Sequence, residues 1–274
     1  HLEETADMRA LFSLPRWLLI GVFLHVLAGA LLLIDVAWWP LSLALILMTH
    51  TAIAIAGLLP RCSLLGANLV RLPTAAIRRG EIAITIDDGP NPEVTPRVLQ
   101  ILKMYDAKAT FFCIGERAER YPELCRAIVA AGHHVENHGQ RHRHHSSLFG
   151  PQQWLNEISA AQTTLHRITG RRPQFFRAVA GLRNPFLDSV LCRLDLRLAT
   201  WTRRGYDTRT GNAAKVLQRL TRNLAAGDIL LLHDGNAAHT QHDTAVILDV
   251  LPTLLGAIVE RKLRPVTLSD ALND

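Results

Sequence analysis

The hydrophobic pattern divides the chain into two unlike parts. Trp17–Ile34 (WLLIGVFLHVLAGALLLI) is an uncharged run of 18 residues, and Trp38–Leu59 (WWPLSLALILMTHTAIAIAGLL) is one of 22. At about 1.5 Å per residue, each is long enough as a helix to cross the roughly 30 Å hydrocarbon core of a bilayer. Only Asp35-Val36-Ala37 separates them, so the pattern predicts a two-helix transmembrane hairpin over 17–59. A pair of buried core helices is the competing reading. A cleaved signal peptide fits less well, because no small-residue cleavage site precedes Asp35 and a second apolar run follows at once. Gly21, His25 and Gly29 share one helical face, and His50 lies near the middle of the other run. Small residues flanking a ring suit close helix packing, with a neutral hydrogen bond between the two imidazoles.

Residues 60–80 mix apolar side chains with scattered arginines and read as a membrane-surface connector. From Glu81 the pattern alternates. Strands are predicted at 81–86, 109–114 and 133–137, and near 174–177, 196–201, 228–232 and 264–268. Helices are predicted from Thr95-Pro96, over 116–131 and 151–169, and near 186–194, 211–225 and 243–261, with Gly132 and Gly170 as stops. There is no internal repeat. Alternating β and α elements over 81–274 predict an α/β domain with a parallel sheet, open or closed into a barrel.

Charge adds an orientation. Arg9 and Arg16 precede the first run, Arg61, Arg71, Arg78 and Arg79 follow the second, and the connector between them has no basic residue. The positive-inside tendency then places both ends, and the whole domain after residue 60, in the cytoplasm of a multi-pass inner-membrane protein. The net charge of +6 is modest for 274 residues; contact with anionic lipid headgroups accounts for it, and no nucleic-acid partner is expected. The cysteines at 62, 113, 125 and 192 have no CxxC spacing and read as reduced, structural thiols. The chain opens on His1-Leu2-Glu3-Glu4, not Met, so 1–16 reads as a leading segment, partly appended, with Met8 as the native start.

The candidate chemistry lies at predicted strand ends, where barrel enzymes carry their catalytic groups. TIDDGP ends the first strand with Asp87 and Asp88, NHGQRH follows the third with His138 and His142, and FFRAVAG carries Arg177. WTRRGYD carries Asp207, and LLLHDG ends in His233-Asp234-Gly235. Taken singly these are weak: Asp-Gly before Pro is also a turn signal. Six of the thirteen histidines fall between His133 and His145, which fits a solvated basic loop as well as a metal site. His138 and His142 stand at i and i+4 without the Glu of an HExxH zincin. With one carboxylate, they are a sound ligand set for a catalytic ion with open positions.

Together these motifs resemble the polysaccharide deacetylase (NodB-homology, carbohydrate esterase 4) family. TIDDGP (85–90) is similar to its first motif, His138-Gly-Gln-Arg-His142 to its second, FFRAVAG (175–181) to its third and LLLHDG (230–235) to its fifth, while KATFFCIGERA (108–118) matches the intervening sequence. The resemblance covers 81 to about 270, in order. It implies a distorted (β/α) barrel of the NodB type, here preceded by the hairpin. It further implies a divalent metal, zinc first with cobalt, nickel or manganese as alternatives, held by Asp88, His138 and His142. Asp87 would be the base for a metal-activated water, Arg177 would hold Asp87 with Asp207 fixing Arg177, and His233 would be the acid. The N–H of Ala180 would face the oxyanion, Leu231 would line the acyl pocket, and Tyr206 and Arg204 would contact substrate. His144 and His145 remain a basic loop, while of His133 and His134 one is expected buried and hydrogen-bonded.

The chain also departs from the family pattern. Gly139 replaces the usual Ser/Thr of the second motif. Val179 stands where the family has proline and Ala180 where it has an aromatic residue. In the fourth motif Arg204 and Thr208 replace the usual Asp and Trp, and Arg203 and Arg204 together put positive charge at the mouth. An anionic substrate fits this better than a long chitin-like polymer. The leading expectation is a metal-dependent hydrolase that removes an N-acetyl group from an amino sugar on a lipid-linked saccharide or glycolipid, with membrane lipid as partner. The alternatives are a deformylase or other small-acyl amidase, an envelope polysaccharide or peptidoglycan deacetylase if the topology is inverted, and a catalytically silent glycolipid-binding scaffold.

Overall fold

The computed structural model describes residues 16–273, with side chains from residue 19; the leading segment expected before Arg16 lies outside the described residues. In chain order the elements begin with α1 (Arg16–Ile34), α2 (Trp39–Leu58), α3 (Thr74–Arg78), β1 (Glu81–Gly89), α4 (Thr95–Met104), β2 (Ala109–Cys113), α5 (Gly115–Arg120), α6 (Pro122–Ala130) and β3 (His134–Asn137). They continue with α7 (Pro151–Thr169), β4 (Phe175–Phe176), α8 (Phe186–Arg193), β5 (Arg197–Leu198) and β6 (Arg203–Arg204). The last are α9 (Ala213–Thr221), β7 (Ile229–His233), α10 (Val246–Glu260), β8 (Arg264–Val266) and α11 (Leu268–Leu272). The described residues form two compact units: one holds those up to Asn68 with 143–155 and 178–198, the other holds 69–142, 156–177 and 199–273.

In the first unit, Asp35 ends α1 and caps a single 3-10 turn, Val36–Trp38, accepting from the Ala37 N–H at 2.8 Å. Pro40 then sits in the first turn of α2, where its missing N–H costs nothing. The two helices pack together. His25 Nδ1–H donates to the Gly21 carbonyl at 2.7 Å, and its Nε2 lies 3.3 Å from Nε2 of His50. Ser42 Oγ donates to the Ala28 carbonyl at 2.9 Å. A Cβ on Gly21 would lie 3.4 Å from the Thr49 methyl, whereas one on Gly29 would meet nothing. The contact seam therefore runs Gly21-His25-Ala28, not Gly21-His25-Gly29. Two helices packed along each other repeat every 3.5 residues, so the third contact falls at i+3 from the histidine.

Among the described residues one helix is long and apolar enough to cross a membrane, the 23-residue stretch Val36–Leu58, while Leu19–Ile34 is a shorter apolar helix. One of the two expected spans is thus met in full among the described residues. Elsewhere in this unit, Arg183 N–H donates to the Gly57 carbonyl at 3.1 Å. Asn184 Nδ2 donates to the carbonyls of Ser147 and Phe149 at 3.0 and 2.7 Å. The stretches 143–155 and 178–198 are thus tied to one another, and the second of them to the end of α2.

The second unit is a curled parallel sheet, a half-barrel, with neighbours in the order β4-β3-β2-β1-β7-β6 and β8 paired to the start of β1. Every residue of β1 is buried, as a central strand covered on both faces requires. Its period of two separates two cores. Ile82, Ile84 and Ile86 join the layer packed under α4, α9 and α10, each contributing about 1.5–3 kcal/mol by burial. Ala83 joins the inner cluster with Phe112, Trp201 and Leu231. The helix expected over 116–131 is two helices. Pro122 opens the second, and the residue before a proline is pushed out of the helical region, as Tyr121 is at φ −131°. Strand β6 and the short helices α3 and α11 carry too few residues to declare a period.

Candidate active site

The site is assembled at the C-terminal ends of the sheet strands. In a regular strand Asp87 and Asp88 would face opposite sides. The register of β1 against β2 slips between Asp87 and Gly89, and Asp88 has φ 71°. An irregularity of this kind re-aims one side chain, and here both carboxylates reach the same histidine. Nε2 of His138 lies 3.1 Å from Oδ1 of Asp88 and 3.9 Å from Oδ2 of Asp87. Nε2 of His142, whose own φ is 51°, lies 3.0 Å from the same Asp88 Oδ1.

Asp88, His138 and His142 have the chemistry of a cation site. Their ligand atoms lie within 4.8 Å of one another. His138 Nδ1–H donates to the Arg177 carbonyl at 2.8 Å, which fixes the tautomer and turns the Nε2 lone pair toward the carboxylate. Acceptors converging on one point require a shared positive charge. The protonation balance says the same. Burial opposes ionisation of Asp88, yet hydrogen bonds from His138 and His142 hold its carboxyl well below the usual range. Burial likewise opposes a charged His138, and Asp87 with Asp88 nonetheless raises its pKa. The residues fit a divalent metal.

Asp87 is 3% exposed and accepts from Nη1 of Arg177 at 2.7 Å. Arg177 is wholly buried, and its donors also reach Thr85 Oγ1 (2.7 Å), the Ala199 carbonyl (3.1 Å) and the Thr200 carbonyl (2.7 Å). Its guanidinium lies 4.1 Å from the Phe112 ring centroid. Asp207 does not touch Arg177 in this arrangement. Its Oδ1 accepts from His233 Nδ1 at 2.9 Å and its Oδ2 from the His233 backbone N–H at 2.7 Å. Four of the five guanidinium N–H groups already serve β1 and the 199–200 backbone, and Asp207, after the turn at Tyr206 (φ 60°), faces β7 instead. His233 stands opposite Asp87 in the β1–β7 register. Burial disfavours its charged form, but the bond to Asp207 raises its pKa above the ordinary histidine value.

Leu231 is buried in the inner cluster, opposite Arg204 in register. Tyr206 is 42% exposed. Arg203, expected at the mouth with Arg204, is committed elsewhere: it bonds Asp228 at 2.5 Å and the carbonyls of Arg222 and Asn223. Ala180 belongs to the first unit, in a 3-10 turn with φ 54°. His133 is buried and accepts the Ala109 N–H at 3.2 Å, His134 is 9% exposed, and His144 and His145 are exposed.

Two residues around Asp88 went unread in the sequence. Asn236 Nδ2 donates to Asp88 Oδ2 at 2.8 Å, and Arg117 donates to the Asp88 carbonyl at 2.6 Å. Asn236 follows the LLLHDG stretch directly, and Arg117 sits inside KATFFCIGERA. Both motifs therefore carried a signal. Gly235 leaves room for this arrangement, because a Cβ there would lie 1.9 Å from the Asp88 carbonyl oxygen.

Residues 75–199 match the family model described as polysaccharide deacetylase. The chain is 33% identical over 175 residues to a peptidoglycan-N-acetylglucosamine deacetylase of Bacillus cereus, covering 63% of this chain and 81% of the relative. It is 35% identical over 158 residues to a chitooligosaccharide deacetylase of Azorhizobium caulinodans, covering 57% and 75%. A solved family 4 carbohydrate esterase pseudoenzyme of Bacillus anthracis shares the fold with a TM-score of 0.67 at 21% identity, over 76% of this chain and 69% of that one. With the motifs, the curled parallel sheet and these relatives together, the chain belongs to the polysaccharide deacetylase family and is an amide hydrolase of the carbohydrate N-deacetylase class.

Proposed function

We propose that this protein is a membrane-anchored, metal-dependent hydrolase that removes the N-acetyl group of an amino sugar on a lipid-linked saccharide. The observation that carries the chemistry is the division of labour between the two adjacent carboxylates. Asp88 faces two imidazoles, while Asp87 faces a buried guanidinium across from His233.

Asp88, His138 and His142 would hold the ion; a two-nitrogen, one-oxygen set suits zinc first, with cobalt, nickel or manganese as alternatives. Such an ion supplies Lewis acidity and lowers the pKa of a water toward about 7. Asp87, held in position by Arg177, takes the proton of the attacking water. Water oxygen bonds to the acyl carbon, the carbon–nitrogen bond breaks, and the nitrogen takes its proton from Nε2 of His233. Asp207 accepts at Nδ1, so the ring is oriented and its protonated form is favoured. Leu231 lines the acyl side, and acetate and a free amine leave.

Membrane placement is supported by the length and apolar composition of the helix Val36–Leu58 and by the ties between the end of α2 and the stretch after Arg177. Arg61, Arg71, Arg78 and Arg79 after that helix favour a cytoplasmic catalytic domain behind two spans. A second reading has specific support: the Bacillus cereus relative is a peptidoglycan deacetylase, and the domain would then lie outside the cell.

Metal-loaded protein and Asp87→Asn are incubated with a membrane lipid extract and, separately, with peptidoglycan fragments, and products are read by mass spectrometry. A C-terminal reporter gives the side of the membrane. Loss of one acetyl group, replaced by hydrogen, from a glycolipid with wild type alone, and a cytoplasmic reporter, are expected. Turnover confined to peptidoglycan, with an external reporter, overturns the lipid-linked substrate. No turnover with any metal overturns the hydrolase.

A further inference from the structure

The four residues after Thr200 contain a charge that the hydrolysis does not use. Arg204 has its guanidinium carbon 5.3 Å from the Trp201 ring centroid and 5.0 Å from that of Tyr206. Its Nε is buried with no hydrogen-bond partner, and among the described residues it forms no ion pair. Arg219 lies 5.4 Å from the same Tyr206 ring and donates to the Gly205 carbonyl at 3.2 Å; it too has no carboxylate partner among the described residues. Neighbouring Arg203 shows how this region neutralises an arginine that serves the fold, since it is paired with Asp228 and two carbonyls. Two guanidiniums gathered on one tyrosine without an acid repel each other, and stacking on rings offsets only part of that.

Position decides what the charge can do. Arg204 stands opposite Leu231 on β7, two residues before His233. Opposed residues in a parallel pair share a face, so Arg204 is about 8 Å from His233 between Cα atoms, from strand spacing and rise. Trp201 lies between the two guanidiniums of the region, 5.9 Å from Arg177 and 5.3 Å from Arg204. A planar fork fixed between aromatic rings is preorganised for two parallel hydrogen bonds to an oxyanion.

We propose that Arg204, held between Trp201 and Tyr206 and supported by Arg219, selects substrates that carry a phosphate or carboxylate on or beside the sugar whose amide is cleaved. The inference rests on the deacetylase reading and specifies its substrate class as anionic.

The test compares three N-acetylglucosaminyl substrates on the full-length, zinc-loaded protein: a neutral oligosaccharide, a prenyl-phosphate-linked sugar and a carboxylate-bearing muramyl oligosaccharide. Wild type is expected to prefer one anionic substrate, and Arg204→Gln to lower kcat/KM on it by about ten- to a hundredfold, the worth of a charged bidentate contact. The same variant should lose much less on the neutral substrate than on the anionic one, and its unchanged circular dichroism and zinc binding report that the site is folded. Which anion responds separates a lipid phosphate from a sugar carboxylate. Binding of the same ligands is measured calorimetrically in Asp87→Asn with and without Arg204→Gln, so that the answer does not depend on turnover. Anion-selective binding without turnover overturns the hydrolase and leaves Arg204's role standing. Equal losses on all three substrates, or none, overturn the role of Arg204 and leave the hydrolase.

Discussion

Asp207→Asn separates two arrangements of this site. In the structure one carboxylate serves two donors on His233, Nδ1–H at 2.9 Å and the backbone N–H at 2.7 Å. The amide has one acceptor oxygen, and the backbone N–H is fixed by β7. The amide nitrogen therefore faces Nδ1, and a charge-assisted hydrogen bond is lost, about 1.5–3 kcal/mol. That energy acts on the protonated ring. At about 1.4 kcal/mol per unit, it lowers the pKa of His233 by roughly one to two units. A general acid is active only while protonated, so its limb of the kcat/KM profile is the alkaline one. That limb should move to lower pH by the same one to two units, and kcat/KM beyond the shifted limb should fall about ten- to a hundredfold. The assay is release of free amine from an N-acetylated oligosaccharide by zinc-loaded protein across pH. If Asp207 braced Arg177, and through it Asp87, the acidic limb would move instead. An unmoved alkaline limb refutes the assignment.

Other outcomes follow from the same geometry. His142→Ala should weaken zinc binding, titrated calorimetrically, by more than the roughly 10–100-fold that an outer-shell loss costs, and Asn236→Ala by about that 10–100-fold, both with unchanged circular dichroism. Gly235→Ala drives a methyl toward the Asp88 carbonyl and should destabilise the domain by about 1–3 kcal/mol in urea titration, with activity falling in parallel. His133, whose pKa burial lowers to about 4, should make stability fall as pH drops from 6.5 toward 4. The unfolded chain takes up the proton first there, at up to about 1.4 kcal/mol per unit. His133→Asn, which keeps an acceptor for Ala109, should remove that part of the slope.

Much of this was legible in the sequence because strand ends carry both fold and chemistry. The alternation from Glu81 located the sheet, and the polar residues closing β1, β3, β4 and β7 are the ones that meet. What the pattern could not convey is where a side chain is aimed. Asp87 and Asp88 are adjacent letters, and only the slipped register of β1 turns them to one histidine. Asp207 was expected on Arg177; the partner depends on a positive φ at Tyr206, which composition does not announce. Arg203 and Arg204 look alike in a string, yet one is pinned by Asp228, 25 residues away, and the other is stacked between rings. The helix seam went to Ala28 over Gly29 because, at 3.6 residues per turn, Ala28 lies about 20° around the helix from Gly21 and Gly29 about 80°.

Arg177 has a consequence for how a lineage of such enzymes can lose activity. His142, a proposed ligand, is partly exposed and lies outside the strands, so its loss spares the sheet. Arg177 has no such freedom. Its side chain joins Thr85 and Asp87 on β1 to the 199–200 backbone, with Phe112 stacked beneath. Removing it strands a buried carboxylate and two carbonyls, a penalty of about 3–5 kcal/mol, comparable to a large part of a domain's whole stability. A descendant that gives up catalysis can therefore lose His142 by drift, but it must keep the arginine that holds Asp87 in order to stay folded. Reversion then needs only that loop histidine restored, on a frame that selection for folding has kept ready.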